Sequence, residues 1–483
     1  MEPLKKEPAR ANKSLDALVI GSGPNGLASA ITLARQGLSV RVIEGQKSIG
    51  GGLCSAELTL PGYVHDICAA VLPLSLVSPF FKSLPLAEYG LVWIEPEIPL
   101  AHPFDDGTAA VLYRSVSETA ATLGRDARAY ELLIGPLVKN QENLCDDILR
   151  PLHLPRHPLL LADFACHGLR SAKGLAQACF TTDKAQSFFA GLSSHAMMPL
   201  DKAATAAFGL MLAMLGHAVG WPIVQGGSQR LADLLQSYLI KLGGEVVSGL
   251  SVTSLKDLPE ARALLFDLTP RQILDLAGHR FPAGYCRQLQ QYRYGPGVFK
   301  IDWALGEPIP WRAPVCRQAG TVHLGGMFEE IVTSEREVSV GRHPERPYVI
   351  VAQQSLFDGS RAPAGRQTAW AYCHVPHGSA LDMTAHIEAQ VERFAPGFRE
   401  VILARHCRSA VAMEQHNPNY VGGDINGGVQ DLRQLFARPA LRLVPYTTPD
   451  KAIFICSSAT PPGGGVHGLC GLYAAEAVLR YRT

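Results

Sequence analysis

Three glycines near the start of the chain have the spacing of a turn that binds dinucleotides. An apolar run ends at Ile20, the pattern Gly-x-Gly-x-x-Gly covers residues 21–26, and an Ala- and Leu-rich helical pattern follows. Gly21 permits a sharp turn, Gly23 lets a pyrophosphate approach the backbone, and Gly26 lets the helix pack closely on the strand. Free N–H groups at the start of that helix favour phosphate binding. An ordinary glycine-rich turn can share the pattern, so its context decides.

A carboxylate at the end of the next predicted strand supports the dinucleotide interpretation. The helical pattern covers residues 27–37, and the strand pattern at 39–43 is followed by Glu44. A carboxylate in this position accepts hydrogen bonds from the ribose hydroxyls of adenosine and repels a 2′-phosphate. Residues 15–44 therefore predict a βαβ unit that binds the adenosine half of a cofactor.

Two more glycine-rich loops lie far along the chain, each between a predicted strand and a predicted helix. They cover residues 226–227 and 463–468, and a further glycine run occupies 50–52. A cofactor longer than one mononucleotide can use several such loops, and the last of them can hold an isoalloxazine ring. Together with Glu44, these loops favour FAD over NAD as the cofactor.

The order of strand and helix patterns around these loops predicts an α/β fold. A Rossmann-type domain with a parallel sheet would bind FAD, and a substrate domain would combine a mixed sheet with a helical insertion. Helical patterns without strand alternation dominate the insertion, whereas strand-like runs alternate with Gly/Pro turns after it. The predicted divisions are 14–74, 221–294 and 441–483 for the FAD-binding domain, 75–220 for the helical substrate or lid region, and 295–440 for the mixed-sheet substrate domain.

Composition and charge exclude some classes of protein. The formal net charge is +1, which gives no reason to expect a nucleic-acid partner. The 11 cysteines have no paired spacing, so we expect reduced thiols and no metal site. Residues 1–13 are interpreted as a frayed tail. The most apolar stretch, 203–224, is too interrupted to span a membrane, and a buried helix is favoured there over one that touches a membrane or lines a substrate pocket.

Several motifs carry a family resemblance that covers nearly the whole chain. They are residues 19–27 with Glu44, 60–66, 101–107, 226–228, 299–305, 374–376 and the closing block 456–468. The closing block, Cys-Ser-Ser-Ala-Thr-Pro-Pro-Gly-Gly-Gly-Val-His-Gly, is the most specific of them. The chain resembles the FAD-dependent amine oxidase/phytoene desaturase superfamily, and most of all its phytoene dehydrogenase-related branch, which includes the pyridine nucleotide-disulphide oxidoreductase domain-containing proteins.

The resemblance implies an FAD-dependent oxidoreductase. A hydride would pass from a lipophilic substrate, such as an isoprenoid, a carotenoid-like molecule or a fatty chain, to flavin N5, with oxygen or a quinone as the later electron acceptor. The enzyme would act as a desaturase, dehydrogenase or oxidase. The implied cofactor contacts are Gly21, Ser22, Gly23, Pro24, Asn25, Gly26, Glu44, Gly45, Gly51, Gly52, Leu53, Cys54, Gly464, Gly465, Val466 and His467.

The chain departs from the family pattern at one place in the cofactor site. The glycine loop after the ribose glutamate usually carries an arginine near the cofactor phosphates, but Leu53 and Cys54 stand in that region here. Either FAD is held with less help from charge, or a distant arginine such as Arg230 substitutes.

Lys300 and His467 are the candidate catalytic residues. Lys300 interrupts an apolar strand and shares a face with Val298 and Asp302. A lysine near flavin N5 can hold a water or an oxygen, as in amine oxidase relatives; the alternative is an edge-strand lysine paired with Asp302. His467 lies by family position close to the flavin. A structural role is favoured for the remaining candidate histidines, which are His102, His374 and His377.

Two other functions remain open at this point. An amine oxidase usually needs aromatic walls around the amine, and the chain has 7% aromatic residues with no evident Trp/Tyr pair near Gly463. A non-catalytic carrier of prenyl groups or lipids is the alternative from another class, although degraded glycine motifs would favour it and these are intact. We expect a cytoplasmic protein, with peripheral membrane contact and the oligomeric state left open.

Overall fold

The computed structural model describes residues 14–482, so the tail predicted at residues 1–13 lies outside the described part of the chain. The strands, in chain order, are β1 (Leu15–Ile20), β2 (Val40–Ile43), β3 (Ser55–Glu57), β4 (Val64–Asp66), β5 (Trp93–Ile94), β6 (Ile98–Pro103), β7 (Ala109–Leu112), β8 (Ile223–Val224), β9 (Glu245–Val247), β10 (Ala261–Phe266), β11 (Gly297–Leu305), β12 (Ala319–Leu324), β13 (Val349–Ala352), β14 (Gln367–Val375), β15 (Ile402–Arg408) and β16 (Ile453–Ile455).

The α-helices fill the intervals between these strands. They are α1 (Pro24–Ala34), α2 (Pro73–Val77), α3 (Pro79–Lys82), α4 (Val116–Thr122), α5 (Ala127–Lys139), α6 (Gln141–Ile148), α7 (Pro158–Gly168), α8 (Ala172–Cys179), α9 (Asp183–Ser193), α10 (Thr205–Ala218), α11 (Ser228–Lys241), α12 (Pro270–Ala277), α13 (Ala283–Gln290), α14 (Phe328–Ser339), α15 (Thr384–Phe394), α16 (Ala410–His416), α17 (Leu432–Phe436) and α18 (Leu469–Arg482). None of the helices within residues 14–482 is long and apolar enough to cross a membrane.

A five-stranded parallel sheet forms the centre of the predicted cofactor domain. Its strand order is β16-β10-β1-β2-β9, and every neighbouring pair runs parallel. Helices α1, α11 and α18 pack on one face, where Ile31, Leu235 and Val478 are buried. Helices α12 and α13 cover the other face through Ile273 and Leu289. The carboxyl ends of β1, β2 and β10 therefore meet at one edge, where loops can build a site.

A seven-stranded mixed sheet forms the second domain, as predicted. Its order is β15-β11-β14-β13-β12-β6-β7; β6 runs parallel to β12, and the other neighbours are antiparallel. One face packs against α15, where Ile301 and Trp303 meet Ile387 and Val391 in a buried cluster. The opposite face carries the side chains that alternate with these, and it is available for the site.

The structure differs from the sequence prediction inside residues 75–220. Most of this range is helical, from α4 to α10, but β6 and β7 lie within it and belong to the mixed sheet. The short strand β5 in the same range pairs with β8. β6 and β7 form a local hairpin, whereas β6 joins the sheet through β12 and β5 pairs with β8, and both of these pairings span more than a hundred residues. The predicted division of the chain into domains stays a prediction.

Candidate cofactor and active site

A cavity of about 730 Å³ joins the edge of the parallel sheet to the free face of the mixed sheet. At one end its wall consists of the loops that follow β1, β2 and β10, including Gly23, Glu44 and Asp267. At the other end it is lined by side chains of β11 to β14, including Lys300 and Trp370. One continuous space therefore connects the dinucleotide turn with the substrate domain.

The dinucleotide turn needs its glycines for conformation and for close packing. Gly21 has φ +101°, which disfavours other residues, and its N–H donates to the Ile43 carbonyl at 2.8 Å. Gly51 also has a positive φ of +56°, and a Cβ there would lie 3.0 Å from the Cα of Gly23. The dinucleotide turn and the glycine run therefore pack against each other at the cavity wall, and a side chain on Gly51 would push them apart.

The carboxylate of Glu44 is oriented by three hydrogen bonds. Its Oε2 accepts from the Ser22 N–H at 2.8 Å and from the Ser22 hydroxyl at 2.7 Å. Its Oε1 accepts from the Gln46 N–H at 2.8 Å. These bonds hold Glu44 at the end of β2 on the cavity wall, the position expected for a residue that binds ribose hydroxyls.

Three buried polar atoms on the cavity wall have no hydrogen-bond partner within the described residues. Asn25 Oδ1 lies at the dinucleotide end, and Thr321 Oγ1 and Trp370 Nε1 lie at the substrate-domain end. Buried polar atoms in folded proteins are nearly always paired, so unpaired ones facing a cavity indicate that a ligand or water completes them. Both ends of the cavity therefore fit a polar ligand that spans the two domains.

Lys300 lies on the cavity wall and also pairs with Asp302, so the two sequence interpretations are not exclusive. Its ammonium donates to the Asp302 carboxylate, and both side chains are buried. Burial opposes ionisation of Asp302, but Lys300 and the other positive or donor groups around it hold its pKa below the usual range. The description of Lys300 as an edge-strand residue is wrong, because β11 is bordered by β14 and β15.

An aromatic wall faces the same end of the cavity. Trp370 and Tyr372, on alternate positions of β14, stack with ring centroids 5.7 Å apart and planes at 28°. The Lys300 ammonium lies 5.4 Å from the centroid of the Trp370 ring. Trp221 lines the cavity as well. The sequence shows no evident Trp/Tyr pair near Gly463, but β14, a distant segment, supplies such a pair to the wall of the cavity that Gly464 also lines.

His467 is buried in the last glycine loop with both ring nitrogens bonded to backbone. The Leu469 N–H donates to its Nδ1 at 3.0 Å, so Nε2 carries the hydrogen and donates to the Gly463 carbonyl at 3.1 Å. Burial lowers the pKa of His467 to about 4. The ring does not line the cavity, whereas Gly464, Gly465 and Val466 do. These contacts contradict a catalytic role and explain His467 as a neutral residue that shapes the loop.

The structure brings most of the other predicted cofactor residues to the cavity. The residues on its wall are Gly21, Ser22, Gly23, Pro24, Asn25, Glu44, Gly45, Gly51, Gly52 and Cys54. Gly26 and Leu53 stand behind the wall, Gly26 at the strand–helix contact and Leu53 in the apolar core. Burial raises the pKa of the Cys54 thiol to about 12, so this cysteine is neutral.

The loop at residues 226–227 serves a structural purpose instead of binding the cofactor. The Gly226 N–H donates to Asp358 Oδ2 at 2.7 Å, and the Ser228 N–H donates to Asp66 Oδ1 at 2.8 Å. Arg361 joins the two carboxylates, with Nη2 2.9 Å from Asp66 Oδ2 and Nε 2.9 Å from Asp358 Oδ2. We call Asp66, Asp358 and Arg361 the buried ion triad. The prediction that this glycine loop contacts the cofactor is wrong.

The proposed substitute for the missing arginine is not at the site. Arg230 is exposed on α11 and does not line the cavity. Among the described lining residues, Lys300 is the only lysine or arginine, and it lies at the substrate-domain end. Phosphates bound at the other end would rely on the N–H groups at the start of α1, which corresponds to the alternative with less help from charge.

The remaining candidate histidines have structural partners, and two other histidines, His195 and His416, line the cavity instead. His102 Nε2 contacts the Gly326 carbonyl at 3.0 Å, His374 Nδ1 contacts Glu335 at 2.9 Å, and His377 Nδ1 contacts the Gly295 carbonyl at 2.9 Å. His195 lines the cavity, with Nε2 3.1 Å from Nε2 of His323. Burial lowers the pKa of His195 to about 3, so its ring is neutral.

Sequence reasoning also missed wall residues that follow later strands. Asp267 comes directly after β10, and residues 250–253 come shortly after β9. Residues 416–420, which follow α16, line the cavity too. Asp267 and residues 250–253 could have been found from the rule that parallel strands end at one edge of a sheet. The pairing of β10 with β1 then places Asp267 beside the dinucleotide turn.

Comparisons with known proteins agree with this architecture. Residues 19–84 match the NAD(P)-binding Rossmann-like domain family. The chain is 24% identical to Pyridine nucleotide-disulfide oxidoreductase domain-containing protein 2 of Mus musculus, over 98% of this chain and 94% of that protein. It is 26% identical to one of the subunits of the limonene dehydrogenase of Castellaniella defragrans, over 49% of this chain and 44% of that one. An engineered putrescine oxidase has a TM-score of 0.63 at 19% identity, over 97% and 99%.

The fold and the cavity define a Rossmann-type dinucleotide-binding domain joined to a mixed-sheet domain. The chain is homologous to the pyridine nucleotide-disulfide oxidoreductase domain-containing proteins, and it shares its fold with putrescine oxidase. The predicted combination of a Rossmann-type domain with a mixed-sheet domain is confirmed.

Proposed function

We propose that the protein is an FAD-dependent oxidoreductase that oxidises a lipophilic substrate, as a dehydrogenase, desaturase or oxidase. The observation that carries the proposal is the single cavity that joins the dinucleotide turn to a largely apolar chamber in the mixed-sheet domain. A cofactor with an adenosine half and a reactive half at the other end needs such a space.

The residues at the dinucleotide end fit the adenosine half of FAD. Glu44 would accept hydrogen bonds from the ribose hydroxyls, and the start of α1 at Pro24 would bind the pyrophosphate. Gly464, Gly465 and Val466 line the cavity where the last loop meets it, and they would contact the other half. When bound, a flavin supplies two-electron oxidation by accepting a hydride.

The chamber favours a neutral, apolar substrate. Trp370 and Tyr372 share its wall with the aliphatic side chains of Leu212, Val298 and Ile350. These side chains exclude water and bind hydrocarbon surface. The carboxylates that line the cavity, Glu44, Asp267 and Asp275, belong to segments at its dinucleotide end. One relative, matched over 49% of this chain and 44% of its own length, is named as a subunit of limonene dehydrogenase. That name agrees with a terpenoid or similar hydrocarbon substrate.

A flavin amine oxidase is the second candidate, because the stacked Trp370 and Tyr372 supply the aromatic walls that an amine site uses. The fold shared with putrescine oxidase supports the same candidate. The charge at the substrate-domain end of the cavity argues against an amine oxidase. Lys300 is the cation on the chamber wall, and none of the described lining residues at this end is a carboxylate that would bind an ammonium group. We therefore rank the lipophilic substrate first.

The proposal is tested with the purified full chain. Its visible spectrum, before and after incubation with FAD, reports cofactor binding; anaerobic mixing with limonene, a prenyl alcohol or putrescine then reports flavin reduction. We expect bound FAD that is bleached by a hydrocarbon substrate. Failure to bind FAD overturns the proposal. Reduction by putrescine alone supports the amine oxidase, and bound FAD that none of these compounds reduces supports a non-catalytic carrier.

Lys300 is expected to speed the reaction of the reduced cofactor with oxygen, since it places a positive charge on the chamber wall. Removing one preorganised hydrogen-bond donor from an active site slows a step on the order of a hundredfold to a thousandfold. Because Lys300→Met alone would leave Asp302 buried and unpaired, the variant to use is Lys300→Met with Asp302→Asn. Stopped-flow reoxidation of the photoreduced protein measures the rate.

The matched control for this prediction is Lys184→Met. Lys184 pairs with Asp106 at the surface, with an Nζ–Oδ2 distance of 2.9 Å, and does not line the cavity. Its reoxidation rate should equal that of the wild type. An unchanged rate in the double variant, with normal FAD content, would remove Lys300 from the mechanism.

A further inference from the structure

The carboxyl group of Asp267 occupies the N-terminus of the helix that is expected to bind the cofactor phosphates. Asp267 follows β10, and its N–H donates to the Ile20 carbonyl at 2.8 Å, which fixes it beside the dinucleotide turn. Its Oδ2 accepts from the Gly26 N–H at 3.0 Å. A Cβ on Gly23 would lie 2.5 Å from the same oxygen. The side chain is buried and lies on the cavity wall.

Asp267 acts as the N-terminal cap of α1 from a different part of the chain. The N-cap residue of α1 is Gly23, which has no side chain, and α1 has no acidic residue in its first turn. A free helix N-terminus attracts one anion, and here the Asp267 carboxylate already takes that place. A bound pyrophosphate would bring two further negative charges to the same helix start.

Among residues 14–482, no lysine or arginine lowers the pKa of Asp267, so no positive charge there balances these anions. Glu44 is the charged group that acts on Asp267, and Tyr420, Cys456 and Cys470 interact with it from the other packed elements. Burial raises the pKa of Cys470 to about 11 and those of Tyr420 and Cys456 well above their ordinary values, so these three groups are neutral. Lys300 lies with Asp302 at the opposite end of the cavity.

We propose that Asp267 is a proton-linked positioning residue, whose carboxyl group must be protonated when the pyrophosphate of the cofactor binds at the start of α1. The inference rests on the proposed function, because it takes FAD as the cofactor. The inference goes beyond the proposed function because it states that the protein takes up one proton when the cofactor binds. A protonated carboxyl can still accept from Gly26 and can donate its own hydrogen to a phosphate oxygen, so the repulsion becomes a hydrogen bond.

The electrostatics of the cofactor-free chain set the pH range of the effect. Burial and, to a smaller extent, the charge of Glu44 raise the pKa of the Asp267 carboxyl to about 7, against the opposing effect of the N–H groups of Gly26 and Gly23. The pyrophosphate would raise it again. The protonated form dominates below pH 7, so FAD should bind most tightly there. Above pH 7 the dissociation constant should rise, approaching the limit of about tenfold per pH unit for uptake of one proton.

The test is a titration of the FAD-free full chain with FAD between pH 6 and pH 9, followed by flavin fluorescence. Calorimetry in two buffers of different ionisation enthalpy measures the protons taken up. The wild type should show the rising dissociation constant and proton uptake, whereas Asp267→Asn should bind FAD with a constant affinity over the range. Asparagine keeps an oxygen for Gly26 and cannot ionise.

Asp126→Asn is the matched control. Asp126 is a buried carboxylate that accepts from the N–H groups of Thr181 and Thr182, at 2.9 and 2.7 Å, and it does not line the cavity. This variant should follow the wild-type pH profile. A flat wild-type profile without proton uptake, or an Asp267→Asn profile as steep as the wild type, overturns the inference while leaving FAD binding intact. Absence of FAD binding at every pH overturns the proposed function, and this inference with it. If Asp267→Asn does not fold, the wild-type proton uptake still decides.

Discussion

Replacing Gly26 with alanine is expected to weaken FAD binding by about a hundredfold. A Cβ at this position would lie 2.2 Å from the carbonyl oxygen of Gly21 and 3.0 Å from Asp267 Oδ2. The first neighbour is backbone in the dinucleotide turn, so the clash can be relieved only if α1 moves away from β1. Overpacking of this kind costs about 3 kcal/mol, equivalent to about a hundredfold in affinity when the turn itself must shift. Absorbance of the purified protein in the flavin band gives the measurement.

Gly135→Ala is the control for this glycine substitution. Gly135 lies inside α5, and no atom lies within 4 Å of the position that its Cβ would take. Alanine in a helix interior is more favourable than glycine by about 0.5–1 kcal/mol, so this variant should be at least as stable as the wild type and retain its cofactor. Normal FAD content in Gly26→Ala would show that the turn does not hold the pyrophosphate.

Replacing Arg361 with methionine is expected to cause the largest loss of stability among simple substitutions. The buried ion triad joins β4, the start of α11 and the segment around residue 358, and the Arg361 and Asp66 side chains are at most 1% exposed. Removing the arginine leaves two buried carboxylates without a cation. Breaking a buried pair in this way costs about 3–5 kcal/mol. Urea titration of the full chain measures the free energy of unfolding.

Arg41→Met provides the comparison at the surface. Arg41 pairs with Glu245 between neighbouring strands, but the two side chains are 32% and 48% exposed. Pairs of this kind contribute about 1 kcal/mol or less, because solvent screens the charges. Both variants remove an arginine from an ion pair, but Arg361 is buried with two carboxylates and Arg41 is exposed with one. Equal losses in both variants would contradict the role assigned to the triad.

The cofactor half of the site could be predicted because its signals are local. The strand, turn and helix at residues 15–34 follow each other in the sequence, and periodicity places their boundaries close to those of β1 and α1. Glu44 follows the second strand at the position that the same unit dictates. The closing glycine loop could also be recognised in the sequence, and Gly464 to Val466 line the cavity as expected.

The substrate half could not be predicted in the same way, because it depends on pairing between distant strands. The sequence left open whether Lys300 lies on an edge strand or near the flavin, and only the pairing of β11 with both β14 and β15 shows that its strand is central in the sheet. The Trp370 and Tyr372 pair faces the cavity because β14 lies beside β11 in the sheet. The proposed catalytic role of His467 could not be judged from the sequence, because the two backbone hydrogen bonds that occupy its ring depend on the local turn.

The strand order of the parallel sheet also determines how late during translation the sheet can be completed. The central strand β1 is made first, yet its neighbour β10 and the next strand β16 follow more than two hundred and four hundred residues later. At about 5–20 residues per second, roughly 20 to 80 s separate translation of Glu44 from that of Gly464. A nascent chain on the ribosome therefore carries its dinucleotide turn long before it has the remaining walls of the pocket, and the finished cofactor site belongs to the last stage of folding.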